Sequence, residues 1–200
     1  MTTGDPNSRY ELAISNRDVG LAWNVRFSRN GDAFEHAVHI GEQSVGHNPN
    51  NRQLDWLTSL AAMHAPALQQ LHEQEISGRP VIMGVGMSGT CHWSACVACD
   101  PKQTSKLVFE WAVRSKNLFD RKLASSYRLA KALEIDVIGR ESVRICDSLG
   151  LVLDLQAMNA GFEWMPNCQR LDVQPIWPQR PGIQTVTWSY SIQLSRIENQ

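Results

Sequence analysis

The stretch that decides the fold is Leu21-Ala-Trp-Asn-Val-Arg-Phe-Ser-Arg-Asn30-Gly31-Asp-Ala-Phe-Glu-His-Ala-Val-His-Ile40. Apolar and polar residues alternate on both sides of Asn30-Gly31, a dipeptide typical of the type I′ turn in a two-residue hairpin. A hairpin centred there pairs Phe27 with Phe34 and collects the apolar side chains on one face. We therefore predict an antiparallel hairpin over residues 21–40, with Trp23 buried.

Residues 80–114 predict three further strands, because apolar residues recur there with a period of two. A three-residue loop, Met87-Ser-Gly89, would join the first two strands. In this register Val85 and Trp93 face the core, and alternate residues of the third strand continue that face. A long final strand is predicted over 183–195 by the same alternation.

Two segments carry apolar residues at helical spacing. One covers about 52–75, with a kink or a break at Pro66, and the other covers 118–134 behind Asn117 as a capping residue. The predicted fold class is therefore α+β. Antiparallel hairpins and meanders, forming an open sheet or a barrel, would pack against these two helices.

Composition limits the function classes. The 200 residues fit one domain, with residues 1–8 expected to be flexible, and a chain of this length buries roughly 70% of its unfolded surface. A hydrophobic content of 42% and a net charge of −1 exclude a disordered chain and give no general attraction to nucleic acid or membrane. Five cysteines, an odd number, suit free thiols in a reducing compartment, so we expect a cytoplasmic protein.

The reverse face of the predicted meander is the candidate ligand site. Glycine inside a strand often marks the close approach of a ligand, and two glycines would form a shallow floor here. An imidazole, a hydroxyl, a carboxylate and a guanidinium would form its walls. The six candidate ligand-binding residues are Gly84, Gly86, His92, Ser94, Glu110 and Arg114.

Two functional readings follow from this face. The first is a non-catalytic binding or interaction module for a small polar or anionic ligand, with no catalytic residue assigned. The second depends on Gly84-Val-Gly86-Met-Ser-Gly89, which resembles the dinucleotide-binding fingerprint and implies a nucleotide- or nicotinamide-binding enzyme. A helix over 90–100 would favour the enzyme, whereas a strand would favour the binding module. A solvated sheet face with one ion pair is the alternative without function.

The cysteine spacing Cys91-x4-Cys96-x2-Cys99 is similar to that of the plant-type ferredoxin loop. In a strand, however, Cys96 faces away from the other two thiols, so the three cannot hold one cluster. Zinc with His92 as a ligand fails for the same reason. We therefore predict no metal and no cofactor.

Surface charge and sheet edges bear on partners. Basic residues outnumber acidic ones two to one over 101–145, and we interpret them as a solvated surface instead of a nucleic-acid site. Unpaired sheet edges can recruit a second copy of the chain, so a homo-oligomer is compatible with the sequence. His36 faces the apolar side of its hairpin and is expected to be a hydrogen-bonded core histidine.

Overall fold

The structure is a computed structural model that describes residues 9–16, 21–42, 54–60, 65–103, 105–116, 122–176 and 184–197. In these ranges the chain forms strands joined by turns and irregular loops, with one 3₁₀ turn at Pro166–Cys168. In chain order the strands are β1 (Arg9–Asn16), β2 (Leu21–Asn30), β3 (Ala33–Glu42), β4 (Leu54–Ser59), β5 (Gln70–Ile76), β6 (Arg79–Ser88), β7 (Cys91–Cys99), β8 (Lys106–Ser115), β9 (Ser125–Leu129), β10 (Glu134–Gly139), β11 (Ser142–Cys146), β12 (Leu151–Ala157), β13 (Ala160–Met165), β14 (Arg170–Pro175) and β15 (Gln184–Arg196).

The strands make two antiparallel sheets that face each other across one core. A seven-stranded sheet has the order β1-β2-β3-β4-β9-β14-β13, and an eight-stranded sheet has the order β10-β11-β12-β15-β8-β7-β6-β5. Between them lie buried aromatic rings from both sheets, with Phe109 stacked on Tyr190 at 5.0 Å between ring centroids. Trp23 and Trp93, which were predicted to face the core, are buried, and Trp111 and Trp188 are buried as well.

The predicted α+β class is wrong, because both predicted helices are replaced by strands and loops. Within 52–75 lie β4 and β5, and within 118–134 lies β9, while residues 117–121 fall outside the described ranges. Trp56 is the extra residue of a β-bulge against β3, so Trp56 and Leu57 are both buried, which resembles helical spacing. Residues 123–127 are buried without interruption, so no period of two appears there either.

The first hairpin is confirmed as β2 and β3, but its turn lies one residue later than predicted. Asn30 pairs with Ala33, so Gly31 and Asp32 are the central residues and Phe27 pairs with His36 instead of Phe34. Only Gly31 of these two has a positive φ, +64°, which is the pattern of a type II′ turn instead of type I′. The register moves by two positions, so the inward and outward faces stay as predicted.

The meander β6-β7-β8 is present, but β6 is inverted relative to the prediction. Ser88 pairs with Cys91 across a two-residue turn, so the register moves by an odd number of positions and every β6 side chain changes face. Val85 is 47% exposed, whereas Gly84 is buried on the inner side. The pairing of β7 with β8 follows the prediction, and His92 lies opposite Arg114.

One crossing between the two sheets lies next to the candidate site. β12 leaves the eight-stranded sheet after Ala157, and the chain crosses through Asn159 to enter the seven-stranded sheet as β13. The β10–β11 turn supports this crossing, since Phe162 N donates to Arg140 O at 2.7 Å. In the described ranges no helix is long and apolar enough to cross a membrane.

Candidate functional site

A groove of about 380 Å³ lies on the outer face of the eight-stranded sheet. Strand alternation produces it, because β7, β8 and β15 turn their tryptophans inward and their small or polar residues outward. We call it the outer groove and define it by the outward side chains Ser94, Cys96, Glu110, Ala112, Asn159, Thr187 and Ser189.

Asn159 forms one side of the outer groove. It follows the end of β12, and its side chain makes hydrogen bonds with the backbone of β15 there. Its Oδ1 accepts hydrogen bonds from Ser189 N at 2.6 Å and Ser189 Oγ at 3.0 Å. Its Nδ2 donates to Thr187 O at 3.3 Å. The amide is therefore fixed against β15, and it holds this wall of the groove in place.

Cys96 and Glu110 lie opposite each other in the pairing of β7 with β8. Burial raises the pKa of the Cys96 thiol, and the negative charge of Glu110 and the hydrogen bond to its carboxylate raise this pKa further. The thiol therefore stays protonated at neutral pH and donates to the carboxylate. Cys96 is accordingly a hydrogen-bond donor at this position and not a thiolate nucleophile.

His92 and Arg114 extend the same outer face beyond the groove. They are a directly opposed pair, and both are exposed. His92 also borders a second shallow hollow beside Val85. Glu110 and Arg114 are four residues apart on β8, which corresponds to about 13 Å along the strand. The structure thus brings four predicted site residues, His92, Ser94, Glu110 and Arg114, to one face.

The two predicted floor glycines do not lie on that face. A Cβ on Gly84 would come within 2.7 Å of Leu71 Cδ2, and a Cβ on Gly86 would overlap the carbonyl oxygen of Ala67. Both glycines instead make room on the inner side for residues 65–69, which we call the strap. The predicted glycine floor is therefore wrong, because the predicted register of β6 placed these glycines on the outer face.

The third glycine of the fingerprint-like stretch serves a turn. Gly89 has a φ of +59° between β6 and β7. The following residues, Cys91–Cys99, are strand. A dinucleotide fingerprint needs a helix whose N-terminus meets the pyrophosphate at this point. The stretch lacks that geometry here.

A buried hydrogen-bond cluster joins the two sheets, and its tyrosines were missed in the sequence. His36 Nε2 lies 2.8 Å from Tyr127 Oη, and the hydroxyls of Tyr127 and Tyr190 hydrogen-bond to each other. Trp111 Nε1 donates to Tyr190 Oη at 3.3 Å, while Trp188 Nε1 donates to Ser125 Oγ at 3.1 Å. The prediction that His36 is a hydrogen-bonded core histidine is confirmed. We call these six residues the interior cluster.

Burial keeps the interior cluster uncharged. It lowers the pKa of His36 to about 3, so the imidazole is neutral at physiological pH. It raises the pKa of both Tyr127 and Tyr190, whose hydroxyls therefore stay protonated. Tyrosines at inward positions of apolar strands were the available sequence signal, since a buried hydroxyl requires a partner.

The cysteines form no metal centre in the described part of the chain. Cys91 is buried on the inner side, and Cys96 lies on the outer face. Among the described residues, no group of three or more His, Cys, Asp or Glu side chains is placed to hold a metal ion.

Comparison with known proteins adds no assignment. No protein family, no curated protein and no solved structure matches this chain. Function therefore has to be inferred from the chemistry of the outer face.

Proposed function

We propose that this protein is a non-catalytic binding module that holds a small polar ligand in the outer groove. The observation that carries the proposal is the convergence of polar side chains from three strands and one crossover around that groove. Ser94, Glu110 and Thr187 stand on neighbouring strands and are all exposed. Hydroxyls and a carboxylate in one concave place can bind several polar atoms of one ligand at the same time.

The charges suggest the chemistry of the ligand. Glu110 offers carboxylate oxygens, which only accept hydrogen bonds, so a hydroxyl or an amino group of the ligand would bind there. Arg114 and His92 offer donors about 13 Å further along the same face, where an anionic group would bind. The proposed ligand is therefore an elongated molecule with a donor group at one end and an anionic group at the other.

Binding fits the groove better than covalent catalysis does. The Cys96 thiol is held protonated beside Glu110, so it is not activated as a nucleophile. The side-chain amide of Asn159 is hydrogen-bonded to β15 and forms a wall of the groove. His36 points into the core with Tyr127 and cannot serve a ligand on the outer face.

A binding titration tests the proposal. Amide spectra of ¹⁵N-labelled protein would be recorded with a panel of short acidic peptides of about three to five residues, because such peptides are long enough to span about 13 Å. We expect at least one of these compounds to shift the amides of Ser94, Glu110 and Thr187. Ala112→Leu should abolish the shifts, because Ala112 lies between Ser94 and Thr187 in the groove.

Ala98→Leu is the matched control, since Ala98 lies on the same outer face of β7 but outside the groove. It should leave the titration unchanged. The proposal fails if no compound of the panel shifts these amides, or if Ala112→Leu binds as well as the parent protein.

A further inference from the structure

A second, smaller pocket, with a volume of about 90 Å³, lies between the two sheets on the inner side and is partly open to solvent. One wall comes from the seven-stranded sheet, where Phe34, His36 and Ser125 line it, and Trp111 lines it from the eight-stranded sheet. Ala67 and Leu68 of the strap also line it. The space is therefore bordered by parts of the chain that are distant in sequence, and it lies beside the interior cluster.

The strap is fixed to both sheets. Phe34 N donates to Leu68 O at 2.7 Å, which joins the strap to β3. Gln69 N donates to Val85 O at 2.9 Å, and the Gln69 side chain makes two further bonds with the backbone of Met87, each 2.9 Å. The missing side chain of Gly86 leaves room for Ala67. These contacts hold the strap over the cavity.

The polar side chains around the cavity already have hydrogen-bond partners within the protein. His36 bonds to Tyr127, and Ser125 accepts from Trp188. Ser59 Oγ accepts from the backbone nitrogen of His36 at 2.7 Å. Glu35 is the one charged side chain among the described lining residues, and it accepts from Asn30. A charged ligand would find no free counter-charge among them, so an uncharged molecule fits best.

We infer that the space beneath the strap is a second ligand site, which takes a compact, uncharged and mainly apolar molecule of about four nonhydrogen atoms. An apolar cavity of about 150 Å³ in another protein stays dry and binds benzene or xenon. The present cavity is smaller, so xenon fits whereas benzene does not. Water is a poor occupant, because apolar walls give it few of the partners that a buried water needs.

Xenon is the probe for this site. Amide and indole spectra would be recorded under xenon pressure, and the signals of His36, Leu68 and the Trp111 indole should shift with saturation. Ala67→Leu should abolish these shifts, because Ala67 packs partly buried against the core at the cavity wall. Benzene should leave the parent protein unchanged but bind Leu68→Ala, in which the cavity is enlarged.

The outcomes separate this site from the outer groove. Ala112→Leu should bind xenon like the parent protein, and Ala67→Leu should leave the outer-groove titration unchanged. Absence of saturable xenon shifts in the parent protein overturns the inference, and so do xenon shifts that survive Ala67→Leu. Benzene binding to the parent protein overturns the stated size limit. The parent protein alone supplies two of these results, so an unfolded variant would not remove the test.

Discussion

The two faces of the eight-stranded sheet carry polar groups from the same strands under opposite conditions. On β8, Trp111 points inward and Glu110 points outward; on β15, Tyr190 is buried and Ser189 faces the groove. Inside, the polar atoms of the interior cluster are bonded to one another and kept neutral. Outside, the carboxylate and the hydroxyls face water. The inner face therefore stabilises the fold, and the outer face keeps polar groups available to a ligand.

The largest contrast between the faces should appear on β6. Gly86→Leu should lower the free energy of unfolding by about 3 kcal/mol or more, because its side chain would displace the backbone of Ala67. The neighbouring Met87 is 51% exposed on the outer face, so Met87→Leu should change stability by less than about 0.5 kcal/mol. Urea denaturation measures both. Equal effects would mean that Gly86 does not face the inner side of the sheet and that Met87 does not face the outer side.

Acidification should have the next largest effect, because it destabilises the fold through the buried His36 of the inner face. The folded-state pKa of His36 is about 3, below the ordinary 6.5, so between these values the unfolded chain binds more protons than the folded one. Stability from this group is complete above about pH 6.5 and is lost as the pH falls toward 3, at up to about 1.4 kcal/mol per pH unit. At pH 4.5 the loss should reach about 2.5 kcal/mol.

Two variants separate the contribution of His36 to stability from that of the carboxylates, which also titrate in acid. His36→Gln should flatten the dependence of stability on pH between 6.5 and 4.5, measured by urea denaturation at each pH. His92→Gln, on the exposed face, should keep the parent slope. An unchanged slope in His36→Gln would show that His36 is not buried as a neutral group.

Removing one hydroxyl from the interior cluster should cost less than the acid effect. Tyr190→Phe deprives the Trp111 indole of its acceptor and Tyr127 of one of its two partners, and an unsatisfied buried donor costs about 1–3 kcal/mol. We expect a loss of about 2 kcal/mol in the free energy of unfolding. Glu110→Gln on the outer face should stay within about 0.5 kcal/mol. If Tyr190→Phe leaves the free energy of unfolding unchanged, the hydroxyl of Tyr190 makes no stabilising hydrogen bonds in the interior cluster.

The same contrast explains what the sequence could predict. Alternation located the hairpin β2–β3 and the long strand β15, and it placed the pairing of His92 with Arg114 correctly. These strands have one buried and one solvated face, so their period of two is visible. In the hairpin an error of two positions in the register did no harm, because it left the faces unchanged.

The failures occurred where the period of two is hidden. In β6 the inward positions include Gly84 and Gly86, whose partner is the strap, so the apolar residue Val85 was assigned to the core by mistake. In β4 a bulge buries Trp56 beside Leu57. Neither the strap nor the bulge can be identified from local spacing. The wall formed by Asn159 likewise depends on where β12 leaves its sheet.

The smallest expected effect on stability, and a clear chemical one, concerns Cys96 and Glu110. Burial raises the pKa of Cys96 first, and the charge and hydrogen bond of Glu110 raise it further. Glu110→Gln removes the negative charge, so the pKa of the thiol should fall and more thiolate should form at pH 8. Since the thiolate is the reactive form, alkylation of Cys96 by iodoacetamide should become a few-fold faster.

Peptide mass spectrometry reads each cysteine separately in this experiment and supplies its own control. The pKa of Cys146 is also raised first by burial, but its charged neighbours are Arg144, Asp154, Glu134 and Asp136. Its alkylation rate should therefore be the same in the parent protein and in Glu110→Gln. If the rates at Cys96 and Cys146 increase together, the variant has loosened the sheet. If neither changes, the carboxylate does not interact with the thiol, and the position given to Glu110 in the outer groove is contradicted. A selective increase at Cys96 would place a charged and accessible Glu110 in the outer groove, as the proposed ligand requires.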